Sequence, residues 1–295
     1  GNVLLGDFIK ANDAYTELLE IFDPSIPFSW ELASSGYLEI GAKAWQMVCL
    51  QFLGETKRAR VLASDHLHYA DEHHDSMTLY HIHTFPALYC LEARAWQQAY
   101  VIIENYIPIV KEFGDPVFIL TAEVYYHIAS AFIGNASSLD IAVNLLETCF
   151  KIGFKAFGVS LSPYISDLYL HYKKPELALQ WSNSILEHVN RTGTHSKTCE
   201  LLRLKGLALI DTNADADKAE EAFNQAISLA QKQSAKTFEL RASKDLAELF
   251  YKAGNIEKAK KLLKPIYNWF EPDEDSIDLA EAEKLLVKLS GDEIN

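Results

Sequence analysis

Six alanines recur along the chain, Ala59, Ala99, Ala142, Ala178, Ala219 and Ala259, at spacings of 40, 43, 36, 41 and 40 residues. Each opens the same short pattern. Ala219, Phe223 and Ala226 are matched by Ala259, Leu263 and Ile266. Fainter copies are Ala178, Ser182 and Ile185; Ala142, Leu146 and Cys149; Ala99, Ile103 and Tyr106; and Ala59, Ala63 and His66. Small or apolar residues at i, i+4 and i+7 share one face of a helix. Alanine on that face lets a second helix approach closely. A unit that repeats at this period cannot bury its apolar face alone and must stack on its neighbours.

Each pattern is preceded by a first helix and a turn. Leu246-Ala247, Phe250-Tyr251 and Gly254-Asn255 precede the Ala259 helix; Tyr169 and Lys173-Lys174-Pro175 precede Ala178. Phe132 and Gly134-Asn135 precede Ala142, Leu88 and Leu91 precede Ala99, and Phe52 and Gly54 precede Ala59. This is the grammar of tetratricopeptide hairpins. The period is near forty residues, against about 34 for the standard repeat. Roughly six extra helical residues add about 9 Å, so long hairpins are predicted. The expected fold class is all-α: a right-handed, tetratricopeptide-like superhelical solenoid of about six long helical hairpins with capping helices. The expected layout is one solenoid over 1–295, with an N-terminal cap at 1–30, hairpins at 31–272 and a C-terminal cap at 273–295. The first cap is predicted as one amphipathic helix over residues 3–22, ended by Pro24 and Pro27, and the last as a helix from Ser276 to Leu289. Pro86 lies inside a predicted helix, where proline removes a donor and clashes with the preceding turn at about 3 kcal/mol. A kink or a late helix start is expected there.

Charge narrows the partner. With 27 basic and 41 acidic residues the formal net charge is −14. Such a surface repels phosphate backbones and anionic membranes, which argues against nucleic acid and membrane, and it attracts basic protein segments. No apolar run approaches the ~18 residues of a membrane span. Cys49, Cys90, Cys149 and Cys199 lie far apart, without a CxxC pair, and are expected as reduced thiols in a cytoplasmic compartment. The chain opens on Gly1-Asn2-Val3 and enters a helical pattern at once, which points to a C-terminal piece of a longer protein.

Catalytic signatures are missing. Neither GxxxxGK(S/T) nor GxGxxG occurs, nor GxSxG, nor HExxH, and no cofactor is implied. Six of the ten histidines fall close together: His66, His68, His73, His74, His81 and His83. Zinc needs several to converge. His66 and His68 are two apart and point to opposite sides of a helix, as do His81 and His83. The expected reading is a polar interhelical seam with no metal and a mild response to pH. Carboxylate pairs such as Glu220-Glu221 are read as solvated faces, and Trp45 and Trp269 as plugs between helices.

The last hundred residues carry a family resemblance. The string runs Arg191-Thr192-Gly193, Glu200 to Gly206, the Ala219 helix, Gln233 to Ala242, Leu262 to Phe270 and Asp278-Leu279. It resembles the C-terminal tetratricopeptide region of bacterial class III adenylate/guanylate cyclases and kinases with a central AAA-type ATPase module, related to the arrays of MalT-like transcriptional activators. The likeness is specific over residues 188–289 and in register over 60–187. It implies a regulatory array without catalytic residues, attached to or associated with a signalling enzyme. The alternative it allows is a small-ligand receptor domain of a MalT-like regulator. Transferring the tetratricopeptide pattern, in which the first helices line the concave groove, gives candidate partner-binding residues: Leu88 and Glu92; Tyr126, His127 and Ser130; Tyr164, Asp167 and His171; Arg203 and Leu207; and Lys244, Glu248 and Tyr251. Tyrosines with charges of both signs suit a protein or peptide segment.

Overall fold

A computed structural model describes residues 2–23, 35–69, 76–212 and 216–291 of the 295. Among them are fifteen helices and no strand. Two short leading helices, α1 (Asn2–Leu5) and α2 (Phe8–Ile21), come first. Six helix pairs follow: α3 (Ser35–Leu53) and α4 (Thr56–His68), α5 (Ser76–Glu92) and α6 (Trp96–Phe113), α7 (Pro116–Phe132) and α8 (Ser137–Lys151), α9 (Lys155–His171) and α10 (Pro175–Thr192), α11 (Thr198–Asp211) and α12 (Ala216–Lys232), α13 (Lys236–Lys252) and α14 (Ile256–Tyr267). α15 (Ile277–Ser290) closes the order.

The repeat register explains the packing. All six anchor alanines lie on second helices, and each is at most 1 % exposed. The residues four and seven positions on are buried in every copy, from Ala63 and His66 to Leu263 and Ile266. First helices run 14 to 19 residues, with α11 the shortest and α3 the longest.

Each described hairpin turn is made the same way. One residue adopts a left-handed backbone: Gly54, Arg94, Gly134, Lys173 and Gly254. The next amide donates five residues back, as Glu55 to Leu50, Ala95 to Cys90, Asn135 to Ser130, Lys174 to Tyr169 and Asn255 to Phe250, at 2.8–3.0 Å. This Schellman geometry satisfies carbonyls that the helix end leaves open. Two of the five turns use Arg94 and Lys173 at φ +62° and +58°, which costs about 1–2 kcal/mol relative to an ordinary backbone.

Two predicted features come out differently. Residues 3–22 are two helices, because Gly6 at φ +82° breaks the run. A Cβ on Gly6 would stand 2.0 Å from the Gln233 side chain, so a close approach as well as the turn requires glycine there. α5 begins ten residues before Pro86 and runs through it; Pro86 is buried there and the Thr84 hydroxyl donates to the Tyr80 carbonyl within the same segment. Pro24, Pro27, His73 and His74 lie outside the described residues.

The chain divides into two compact units. The N-unit comprises Phe8–Gln51 and Glu55–Leu145. In it α4 packs on α5, α5 on α6 and α7, and α6 on α7; Trp45 meets Phe85 edge-on at 4.8 Å. The C-unit comprises Leu146–Asn295 with two earlier segments, Gly1–Asp7 and Phe52–Gly54. Its first helices form one layer, α9 on α11, α11 on α13 and α13 on α15. The earlier segments are built into it. The Leu4 carbonyl accepts from the His195 and Ser196 amides at 2.9 and 3.2 Å, and the Phe52 ring lies 4.9 Å from Phe238. Gly54, at φ +90°, would drive a Cβ to within 3 Å of Trp269, Lys236 and Phe270.

Candidate functional site

The first-helix layer of the C-unit carries a ladder of buried charge. On α11, Glu200 and Arg203 are one turn apart; on α13, Arg241 and Asp245 are one turn apart, with Lys244 beside them; on α15 stand Asp278 and Glu281. The Arg203 guanidinium donates from Nε and Nη2 to both Glu200 oxygens at 3.0 and 2.7 Å, and from Nη1 to Asp245 at 2.6 Å. Arg241 donates from Nε and Nη2 to Asp278, its shortest bond being 2.7 Å, and its Nη1 lies 3.6 Å from Glu200. The Lys244 ammonium joins Asp245 at 2.8 Å and Glu281 at 3.3 Å. The ladder thus ties three successive first-layer helices through planar, charge-assisted bonds.

Its electrostatics are internally matched. Burial alone would raise the Glu200 and Asp245 carboxyls. Arg203 and Arg241 around Glu200, and Lys244 and Arg203 around Asp245, hold both below their ordinary values. Lys244 is held above its ordinary value by Asp245 and Glu281, against its own burial. The Arg203 charge is also felt by Asp167 on α9. At the head of α11, the buried Lys197 ammonium lies 3.4 Å from the Tyr164 hydroxyl and 4.5 Å above its ring, and 5.9 Å from the Phe52 ring.

The sequence-derived candidates therefore separate into two sets in this unit. Arg203 and Lys244 have their charged ends on Glu200, Asp245 and Glu281, and Tyr164 is buried beneath Lys197. His171 and Tyr251 face solvent, Tyr251 at 38 % exposure, and Asp167, Leu207 and Glu248 are half-buried. Glu248 reaches Lys252 at 3.3 Å.

In the N-unit, Glu92 is buried and Leu88 half-buried on α5. On α7, the Tyr126 hydroxyl is 3.2 Å from that of Tyr100, which donates to Glu104 at 2.6 Å. His127 and Ser130 belong to a hydroxyl network: His127 Nδ1 lies 3.2 Å from Ser138, Ser138 donates to Ser130 at 3.1 Å, and Asn135 donates to Ser130 at 3.2 Å. Burial lowers the His127 imidazole below its ordinary value, with Glu123 opposing.

Among the described residues, no group of three His, Cys, Asp or Glu is placed to hold a metal. His81 and His83 each direct Nδ1 at the carbonyl one turn back, Met77 and Leu79, at 3.0 and 2.8 Å. All four cysteines are free and buried. No described helix is long and apolar enough to cross a membrane. Trp269 is 49 % exposed and carries Lys236 5.5 Å above its ring.

The residues missed from sequence are Lys197, Glu200, Arg241, Asp245, Asp278 and Glu281. A signal for four of the ladder's charges was there. Glu200 and Arg241 are 41 residues apart, as are Arg203 and Lys244, so charges recur at the repeat period on successive first helices.

No protein-family profile matches the chain, and no curated protein matches it. Solved structures do. One is a signal transduction ATPase with numerous domains carrying a tetratricopeptide repeat sensor, from Pyrococcus horikoshii, with 14% identity over 95% of this chain and a TM-score of 0.50. The chain spans 42% of that protein's length. Another is a Rap protein solved in complex with Competence and Sporulation Factor, with 14% identity over 97% of this chain and 80% of the other, and a TM-score of 0.64. At these identities the likeness is one of fold: an all-α, tetratricopeptide-like array of helical hairpins.

Proposed function

We propose that the chain is a non-catalytic interaction and sensing module that binds a protein or peptide segment along its first-helix faces. In this reading it belongs to a cytoplasmic, bacterial, multidomain signalling protein of the ATPase-linked cyclase or kinase kind, and its occupancy regulates the attached or associated enzyme. The supporting observation is the C-unit layer itself. Its charges are locked into a rigid ladder, so the half-buried and exposed side chains on the same helices (Asp167, His171, Leu207, Glu248, Tyr251) stand on a preorganised floor. Preorganisation lowers the ordering cost of binding. Of two neighbours in fold, one carries a tetratricopeptide repeat sensor and the other was solved in complex with Competence and Sporulation Factor, which agrees with a sensing role. The net charge of −14 favours a basic partner segment.

The test spares the ladder. Peptides selected by display against the whole chain are measured by fluorescence polarisation on the parent and on His171→Ala/Glu248→Lys/Tyr251→Ala. At least a tenfold loss of affinity with an unchanged unfolding profile is expected. Equal affinity would remove this face from the binding site.

A further inference from the structure

We propose that the α4–α5 region of the N-unit is an acid-responsive element, closed while His66 is neutral and driven open when it is protonated. The argument starts from the repeat register. His66 holds the third core position of its second helix, where the other repeats place Tyr106, Cys149, Ile185, Ala226 and Ile266. It is as buried as they are, at 1 % exposure. Among the described residues, neither ring nitrogen has a hydrogen-bond partner in good geometry. A base that titrates in the acidic range thus stands in a slot that the other repeats fill with side chains neutral there.

The described side chains around it disfavour a charge. From the C-cap of α4, Tyr69 presents its ring edge-on at 6.3 Å. From α3, the Lys43 ammonium donates to the Tyr69 hydroxyl at 2.9 Å and to Glu39, so the Glu39 carboxylate is already matched by a cation. From α5 come His81, stacked on Phe85 at 5.2 Å, and His83, stacked on Tyr106 of α6 at 4.8 Å. Protonation would place a second N–H donor in the interior, only partly met by the His81 backbone, and add a positive charge beside Lys43. Burial, then His81 and Lys43, push the His66 imidazole down to about 3, with the His81 backbone offsetting part of this and His83 adding slightly.

The sign follows from linkage. The folded value lies below the ordinary 6.5, so the contribution is fully present above pH 6.5 and is lost as pH falls from there toward 3. Each unit of pH in that window changes the closed-to-open ratio about tenfold. Between pH 6.5, where an open His66 is already half protonated, and pH 5.0 the ratio falls about 15-fold. Opening is local, because neighbouring repeats couple only through their contacts.

The test is hydrogen exchange of the full chain at pH 6.5 and 5.0, corrected for intrinsic rates. Protection across α4 and the first half of α5 is expected to fall about 15-fold, while α13 holds. In His66→Ile the fall should vanish, and His66→Tyr, the residue of the next repeat, serves if the isoleucine variant does not fold. His68→Ala, an exposed histidine on the same helix, should keep the fall. An equal fall in the His66 variants overturns the proposal, as does an NMR titration showing His66 protonating near 6.5 with α4 closed.

Discussion

Removing Asp278 should cost the C-unit far more than a surface carboxylate would. Asp278 is 8 % exposed and Arg241 7 %. The aspartate accepts three hydrogen bonds from Nε and Nη2 of that guanidinium, at 2.7–3.0 Å. In Asp278→Ala the buried guanidinium loses these three bonds, with Glu200 at 3.6 Å from Nη1 and the Phe238 ring 5.9 Å away. Breaking a buried pair by deleting one partner costs about 3–5 kcal/mol. Asp278 also stands in the first turn of α15, where losing a negative charge costs a further ~0.3–1 kcal/mol. The expected total is about 4 kcal/mol. At an m-value of about 2 kcal/mol/M this lowers the urea midpoint by about 2 M. Pulsed thiol labelling of Cys199, buried on α11 in the same unit, reports that midpoint locally. Arg241→Met/Asp278→Leu should lie within about 1 kcal/mol of the parent, since a packed apolar pair replaces a buried ion pair at little cost. If Asp278→Ala loses less than 1 kcal/mol, or the double variant is as unstable as the single, the ladder is not the buried, coupled network described.

Other perturbations follow from single contacts. Lys173→Gly should stabilise the C-unit by about 0.5–1 kcal/mol, read as a raised urea midpoint, because glycine occupies φ +58° without strain. Gly206→Ala should destabilise it by about 1–3 kcal/mol, since the new Cβ meets the Phe223 ring at 2.7 Å in a filled core. Asp115→Ala should weaken the N-unit by about 1 kcal/mol, because Asp115 caps α7 by accepting from Val117 and Phe118 at 2.8 and 3.1 Å. The native thiols should resist a thiol reagent at pH 8: burial pushes Cys49 and Cys90 up to about 12 and Cys149 up to about 11. Fast labelling of any of the three in the folded protein would contradict that burial.

The hairpin array was legible because one face of each second helix repeats small and apolar residues, and burial at those positions leaves no other packing. The turns were half legible. Gly54, Gly134 and Gly254 announce a left-handed residue, but Arg94 and Lys173 do the same work without glycine, at a cost the Schellman bonds offset. The break at Gly6 was hidden because it is set by Gln233, more than two hundred residues away. Periodicity placed Arg203 and Lys244 on the first-helix face. It carries no information on the distance between neighbouring repeats, and that distance decides that Asp245 and Glu281 take up their charges. His66 reads as one of a histidine cluster by proximity in sequence, and only its place in the alanine register shows it to be a core residue.

The two early segments of the C-unit bear on how the protein reaches its native state. Repeat arrays fold quickly because their contacts are local. Here the Leu4 carbonyl waits for the His195 and Ser196 amides, and Phe52 waits for Phe238, each partner arriving almost two hundred residues later in synthesis. Hairpins can zip in order, yet the last closure is a long-range search whose entropy must be met before its contacts form. That step should appear as a slow refolding phase, and Gly54→Val, which blocks the Phe52–Gly54 contact, should slow or abolish it while the fast helical phase stays unchanged.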